Sequence, residues 1–552
     1  MTKRIFILLF FLVHHIVVAQ QNSVLSSGDF YKISVENDGV YQLTYSDFQQ
    51  LNISTNNLDI SSIKLYGNGG GMLPNLNSDF RYSDLQENAI YIYDNNNNGV
   101  FNSEDYLLFF GQSSNEWKFD SIQNIFDYSE HLYSDKNYYF VTIDESSPGK
   151  RIGEKQNLAN FSKTITSFND FQVHEINSEN LIQSGREWYG ERFGIIDKYS
   201  FEFNFSNLIT SHPINIKTSV AARSLNQSTF NIKANNNFVA NVNVAKIVYD
   251  YATPYAFTGL NSSQFNSTSD QINIDVEYNY SENNAIGWLN YLQLNSRRAL
   301  KITNNNLHFR DIQFLYSDEV GKYIISNATS NTQVWDVSDI LNVKKLPTNL
   351  VGNEISFLDS LSNLKTYYAF NNVFQKAELI GKIENQNLHN FGSEIEYVII
   401  THPNFLSAAN RLAEFHENED NLVSRVVTPQ QIYNEFSSGM QDASAIRDFL
   451  RMLYKRPNSQ LKYGLLFGDG SYDNKDRVPN NTNYIPTFQS VQSTNPTQSY
   501  VTDDYYALLD DSDGDFVNDL IDIGVGRLPV KNLSEANDMV NKIEDYYSND
   551  AL

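Results

Sequence analysis

Glu396-Tyr-Val-Ile-Ile-Thr-His402, Tyr463-Gly-Leu-Leu-Phe-Gly-Asp-Gly470 and Ile521-Asp-Ile-Gly-Val-Gly-Arg-Leu-Pro-Val530 decide how the last third of this chain folds. Each is a short apolar, β-branched run that stops at Gly, Asp, Thr or Pro. Runs of that kind, separated by helices, are the pattern of a parallel sheet whose strands are buried on both faces. The intervening residues supply the helices. Phe405, Ala408, Ala409, Leu412, Ala413 and Phe415 share one face of 404–417. Thr428-Pro429 opens a second helix with a capping residue and a proline at its first position. Ala443 to Tyr454 and Ser534 to Tyr547 complete the set, with a strand expected at Leu422–Val427. The alternation predicts a doubly wound α/β layer over residues 391–552. Sites in such layers form at the carboxyl ends of the strands, here at His402 and Asp469.

Outward from that layer the pattern changes to strands alone. Residues 346–390 read as a connector. Residues 195–345 carry short alternating runs, among them Tyr199–Phe205, Gln271–Glu277 and Trp288–Leu294, at the spacing of an antiparallel β-sandwich or jelly roll. Residues 20–194 read as a β-rich N-terminal domain, opening with a hairpin around Asn37-Asp-Gly39. The first nineteen residues combine Lys3-Arg4, an apolar run from Ile5 to Val13 and Val17-Val-Ala19 before Gln20, which is a secretory signal peptide. No later run reaches the ~18 apolar residues of a membrane helix, so export without a membrane span in this segment is expected.

Composition narrows the function. The chain has 552 residues, which at about 150 per domain suggests several domains. Sixty-five acidic against 40 basic residues give a net charge of −25, with no basic cluster longer than Arg297-Arg298. Nucleic acid is excluded as a partner, because phosphate binding needs a basic face. Cysteine is absent, and no thiolate chemistry can arise within these residues.

Two acidic loops have ligand-like spacing. Asp94, Asn96, Asn98, Gly99 and Asp105 occupy positions 1, 3, 5, 6 and 12 of a calcium loop, although strands flank it and the last position is Asp instead of Glu. The loop reads either as a calcium site or as an uncharged Asn/Gly hairpin turn. Asp511, Asp513, Asp515 and Asp522 repeat the spacing, but Gly514 falls one step before position 5. It reads as a cation site or as a solvated acidic hairpin. Ser184-Gly-Arg-Glu-Trp188 could bind a sugar or peptide, or seat Trp188 in a seam between domains. His402 and Asp469 end neighbouring strands and Ser471 follows, yet Gly468-Asp-Gly-Ser471 is not a nucleophile elbow. The expectation is that His402 caps the helix that Pro403 begins and Asp469 fixes the loop after its strand.

Ile399-Ile-Thr-His-Pro403, Ile432-Tyr-Asn-Glu-Phe436 running into Asp442-Ala-Ser-Ala-Ile-Arg-Asp-Phe449, Leu465-Leu-Phe-Gly-Asp-Gly470, Thr502–Leu509 and Asp522-Ile-Gly-Val-Gly-Arg-Leu-Pro529 together resemble the gingipain-type cysteine peptidases. The resemblance implies a β-rich N-terminal region, an antiparallel β-sandwich and then the first parallel α/β subdomain of a caspase/gingipain-like domain. Within that family it points to the sortase of the type IX secretion system. The implied activity removes the C-terminal targeting domain of secreted cargo and attaches the cargo to the surface of a Bacteroidota-type cell. Implied partners are those targeting domains and outer-membrane secretion components. The family's nucleophilic Cys and its His, in a Gly-His-Gly context, have no counterpart in this sequence. The expectation is an N-terminal portion without catalytic residues, the alternative being an inactive binding module of the same machinery.

Overall fold

A computed structural model describes residues 22–250, 252–514 and 519–548. The signal-peptide reading of residues 1–19 and the ligand reading of Asp515 lie outside the described residues. The architecture is β-rich throughout its first two thirds and closes with a parallel α/β layer.

The elements used below are, in chain order, β1 (Phe30–Val35), β2 (Gly39–Thr44), β3 (Tyr106–Gly111), β4 (Glu116–Asp120), β5 (Ile125–Ser129), β6 (Asn137–Ile143), β7 (Ser167–Glu175), β8 (Ile214–Arg223), β9 (Phe257–Phe265), β10 (Ile286–Ala299), β11 (Glu378–Ile383) and β12 (Tyr397–Thr401). Then follow α1 (Leu406–Glu419), β13 (Ser424–Val427), α2 (Pro429–Phe436), α3 (Ala443–Tyr454), β14 (Tyr463–Phe467), β15 (Gly524–Leu528) and α4 (Leu533–Ser548).

The N-terminal sandwich encloses Ile33, Leu43, Phe48, Leu65, Leu107, Phe109 and Val141 between two sheets. β1 and β6 lie in the five-stranded sheet, while β2 and β3 lie in the four-stranded one. Beyond it runs a ten-stranded sheet containing β7, β10, β8 and β9 in that spatial order. Two separate four-stranded sheets cover it. One core gathers Phe203, Ile216, Phe230, Ile274, Leu292 and Leu294. The other gathers Phe168, Phe309, Tyr323, Phe357 and Tyr367.

The expected boundaries at 194/195 and 345/346 do not survive this topology. Arg192–Phe193 and β7 pair with β10, and Thr366–Phe370 belongs to the same long sheet. The expected connector is itself strand-rich: β11 pairs antiparallel with β1 across more than three hundred residues. Alternation predicts that a run is a strand but is silent about its partner, and long-range pairing set these boundaries.

The C-terminal layer follows the expected order. β13, β12, β14 and β15 are neighbours in that sequence and every pair is parallel, with Ile399 opposite both Val426 and Leu465. Ile399 and Phe467 face Ala409, Leu412, Ala536 and Val540 of α1 and α4. Val398, Ile400 and Leu466 face Ile432, Phe436, Ile446 and Phe449 of α2 and α3. Thr428 caps α2 through a capping box with Gln431, with Pro429 at the first position. Pro403–Phe405 form a 3₁₀ turn ahead of α1, so that helix begins two residues later than the periodicity predicts.

The β-rich portion and the layer are joined by an arm from Met72 to Arg81. Met72 and Leu73 pack on the α2/α3 core. Leu73 N–H donates to Asp442 (2.9 Å), and Asn77 Nδ2 donates to the carbonyls of Leu508 and Asp510. Arg447 is fully buried and donates to the carbonyls of Asn75 (2.6 Å) and Pro74 (3.2 Å), while Arg81 pairs with Asp448 at 2.8 Å. Among the described residues no helix is long and apolar enough to cross a membrane.

Candidate functional site

In the order β13–β12–β14–β15 the chain direction of assembly reverses between β12 and β14, so the crevice beyond their carboxyl ends is where an open α/β layer binds ligands. His402 and Asp469 lie at those two ends. His402 Nδ1 accepts the Asn404 N–H at 3.3 Å, as a cap. Its ring lies 4.7 Å from that of Tyr484, and burial lowers its pKa below the usual imidazole range. Asp469 accepts from the Thr482 hydroxyl at 2.6 Å, and its carbonyl accepts the N–H groups of Tyr484 and Ile485. Ser471 Oγ accepts the Asp473 N–H at 3.1 Å. None of the three is hydrogen-bonded to another, so no nucleophile–base pair is assembled here.

The crevice is filled by the chain's own loop, residues 482–486. Arg527 at the end of β15 locks it. Its guanidinium donates to the carbonyls of Gly468 (3.0 Å), Ile485 (2.9 Å) and Pro486 (3.1 Å), and forms a bidentate pair with Asp503 at 2.7 and 2.8 Å. A guanidinium matches that set of planar acceptors where an ammonium could not. Periodicity marked Gly526-Arg527 as a strand end and gave no sign of this role. The signal available was an Arg amid apolar residues at a parallel strand's carboxyl end.

The two acidic loops use their oxygens on backbone amides. Asp94 accepts the N–H of Gly99 (2.9 Å) and of Asn98 (3.3 Å), Asn98 accepts that of Val100, and Asn96 that of Asn98. Buried Asp105 gives one oxygen to Asn95 N–H (2.8 Å) and the other to Asn102 N–H (2.6 Å). Gly99 sits at φ +75°, the left-handed region the turn requires. Among the described residues no group of three Asp, Glu or His side chains is arranged to hold a metal. This donor set fits a turn stapled by its own amides better than an oxygen cage. Chelation is therefore expected to leave the melting temperature unchanged, since a bound ion would stabilise the native state by mass action. Asp105→Ala, by contrast, should cost about 1–3 kcal/mol by orphaning two amides. A fall of several degrees on adding chelator would reinstate a calcium site.

Asp511 pairs with Arg451 (2.5 Å) and Lys455 (3.4 Å), and these hold its carboxyl below the usual range. Asp513 accepts the Asp510 N–H, and Asp522 accepts those of Leu509 and Asp510. The offset glycine now has a reason. A Cβ at Gly514, φ +122°, would lie 2.2 Å from the Asn75 carbonyl of the docking arm. Gly514 serves close approach of that arm, a long-range demand that a loop motif cannot express.

Trp188 occupies a seam. It is buried, stacks on Tyr472 at 5.7 Å, and carries Arg477 over its ring at 4.8 Å. Lys475 pairs with Glu130 from the β-rich side at 2.9 Å.

A parallel layer with α1 and α4 on one face and α2 and α3 on the other, gripped by an irregular arm from the β-rich portion, is the architecture to be compared. Residues 392–552 match the model of peptidase family C25. Over 96% of its length the chain superposes on one solved structure, the dimeric latent PorU from Porphyromonas gingivalis, with a TM-score of 0.81 and 25% sequence identity. The chain spans half the length of that PorU chain. A carbohydrate-binding module CBM36 solved with calcium and xylotriose aligns to 24% of this chain and 99% of its own, at 11% identity and a TM-score of 0.16, which is too distant to carry an argument. No curated protein matches.

Proposed function

We propose that these residues are the β-rich support and first α/β half of an exported gingipain-like peptidase that acts as the sortase of a type IX secretion system. The nucleophile and its polarising His are then supplied by residues outside the 552. The observation that carries this reading is likeness along nearly the whole chain, at a TM-score of 0.81, to PorU, together with the C25 match over 392–552. The net charge of −25 and a leader-like first nineteen residues support a protein exported towards the outer membrane. Its substrates would be secreted proteins carrying C-terminal targeting domains. Deleting the gene should leave those domains attached to secreted cargo, as read by intact-mass spectrometry of the culture fluid and envelope. Normally trimmed cargo in the deletion strain would refute the proposal.

The absence of cysteine favours a second reading, a non-enzymatic docking module of the same machinery. The two separate on the coding sequence downstream of Leu552. An in-frame Gly-His-Gly and a later Cys support the peptidase, and a stop codon supports the module.

A further inference from the structure

Two residues beyond the arm, the β-rich portion meets the layer again through a buried histidine. His389 lies in a 3₁₀ turn, Leu388–Asn390, a few residues after β11. Its side chain is 4% exposed, and that of Glu435 on α2 has no exposed surface. The ring stacks on Phe436 at 5.0 Å. Nδ1 stands 2.5 Å from Glu435 Oε2, and Nε2 stands 3.0 Å from the Ser83 carbonyl oxygen. Three segments far apart in the chain thus meet at one ring.

Those contacts fix the proton count. A neutral imidazole has one N–H donor and one lone pair. Beside an ionised Glu435, either tautomer would set that lone pair against an oxygen, the carboxylate's at Nδ1 or the carbonyl's at Nε2. The contacts are satisfied only with one further proton on the pair. Glu435 Oε1 already accepts from Gln386 Nε2 (2.9 Å) and the Leu388 N–H (2.9 Å). Two donors on that oxygen keep the negative charge on the carboxylate and the extra proton on the ring.

The charged groups around the ring come from each packed segment. Asp84, buried next to Ser83, accepts from Ser23 Oγ (3.1 Å), the Val24 N–H (2.7 Å) and the Leu85 N–H (2.8 Å). Arg456, beyond α3, donates to the His389 carbonyl at 2.6 Å. Lys32 of β1 reaches Asn434, the residue before Glu435, at 3.0 Å. Burial alone would push the ring's pKa down, but the Glu435 bond and the Asp84 charge outweigh it and hold the pKa above the ordinary imidazole value. A base raised in this way stabilises the fold below its unfolded pKa and loses that contribution as pH climbs through the folded one. Lys32, whose pKa burial lowers, acts in the opposite sense, so comparison with a His389 variant is needed to separate the two.

We propose that His389 is a proton-operated clasp: as an imidazolium it ties the Ser83 end of the arm to α2, and on losing its proton it releases that end. The neutral ring keeps its Nδ1–H on Glu435 and leaves the Ser83 carbonyl without a donor. Residues 82–86 then loosen while the turn at 388–390 and the layer stay folded. The inference rests on this junction alone and is independent of the peptidase reading.

Two measurements on the 552-residue chain test it. With histidine-selective 15N labelling, and His389 assigned by its loss in His389→Gln, both ring nitrogens should be fully protonated at pH 6.5, where a free imidazole is about half charged. Glu435→Gln should bring the ring's titration down. Chymotryptic cleavage after Tyr82, normalised to a free peptide of residues 78–88, should be at least tenfold faster at pH 9 than at pH 6.5. In His389→Gln it should be fast at both. A ring with a single N–H at pH 6.5, a titration unmoved by Glu435→Gln, or cleavage whose pH dependence is absent or persists in His389→Gln would overturn the proposal. The ring readout stands on the parent protein even where a variant fails to fold.

Discussion

Arg447→Met is expected to lower the stability of the α/β layer by about 3–5 kcal/mol, the usual cost of breaking a buried ionic network by removing one partner. Arg447 has no exposed surface, lies 4.4 Å above the Tyr505 ring and donates to the Pro74 and Asn75 carbonyls. Its loss orphans both carbonyls and removes one of the cations near Asp448, whose carboxyl burial pushes up and Arg81 and Arg447 pull down. The arm from Met72 to Arg81 should detach before the layer unfolds. Limited proteolysis should therefore cut between residues 72 and 82 in the variant at protease levels that leave the parent intact. Arg447→Lys should behave like the Met variant in this assay, because a single ammonium cannot span two adjacent carbonyls. A denaturation midpoint within about 1 kcal/mol of the parent would show that the arm is held by Asp442 and Asn77 alone.

The second large effect is a pH dependence carried by Lys32. This β1 side chain is 5% exposed, donates to Asn434 Oδ1 (3.0 Å) and the Gly439 carbonyl (3.2 Å), and sits 4.1 Å over the Tyr138 ring. Burial brings its pKa down to about 7 from 10.5. A base whose folded pKa is depressed binds its proton more weakly when folded. Between pH 7 and 10.5 the unfolded chain holds the proton and the folded chain does not. Stability should thus rise with pH across that window, by on the order of 3–5 kcal/mol. Below pH 7 both states are protonated and the contribution is flat. Lys32→Met should abolish the rise between pH 7 and 9.5, a window chosen to stay clear of tyrosine titration. Parallel pH profiles for the two proteins would mean the ammonium stays charged in place, held by its two acceptors and the ring.

How much of this was legible in the sequence follows from the range of the forces involved. The parallel layer was, because Val398, Ile399, Ile400 and Leu465 are local apolar runs and Thr428-Pro429 is a local cap. His402 as a cap and Asp469 as a loop anchor were legible for the same reason. What was not legible is long-range. The pairing of β11 with β1, the reach of Arg447 to Asn75, and the demand on Gly514 each join residues hundreds apart. Calcium-like spacing at Asp94 and Asp511 shows the converse. Alternate oxygens suit a cation, and they equally suit the successive N–H groups of a tight turn.

The proposed function requires that these residues supply scaffold for a C25-type site and none of its nucleophile. It is tested most directly by incubating the purified 552-residue chain with a fluorogenic peptide mixture at neutral pH. Hydrolysis should not exceed the rate of the buffer blank. Turnover above the blank that is lost in His402→Ala or Ser471→Ala would contradict the account, because it would require a catalytic pair where the structure places a helix cap and a turn.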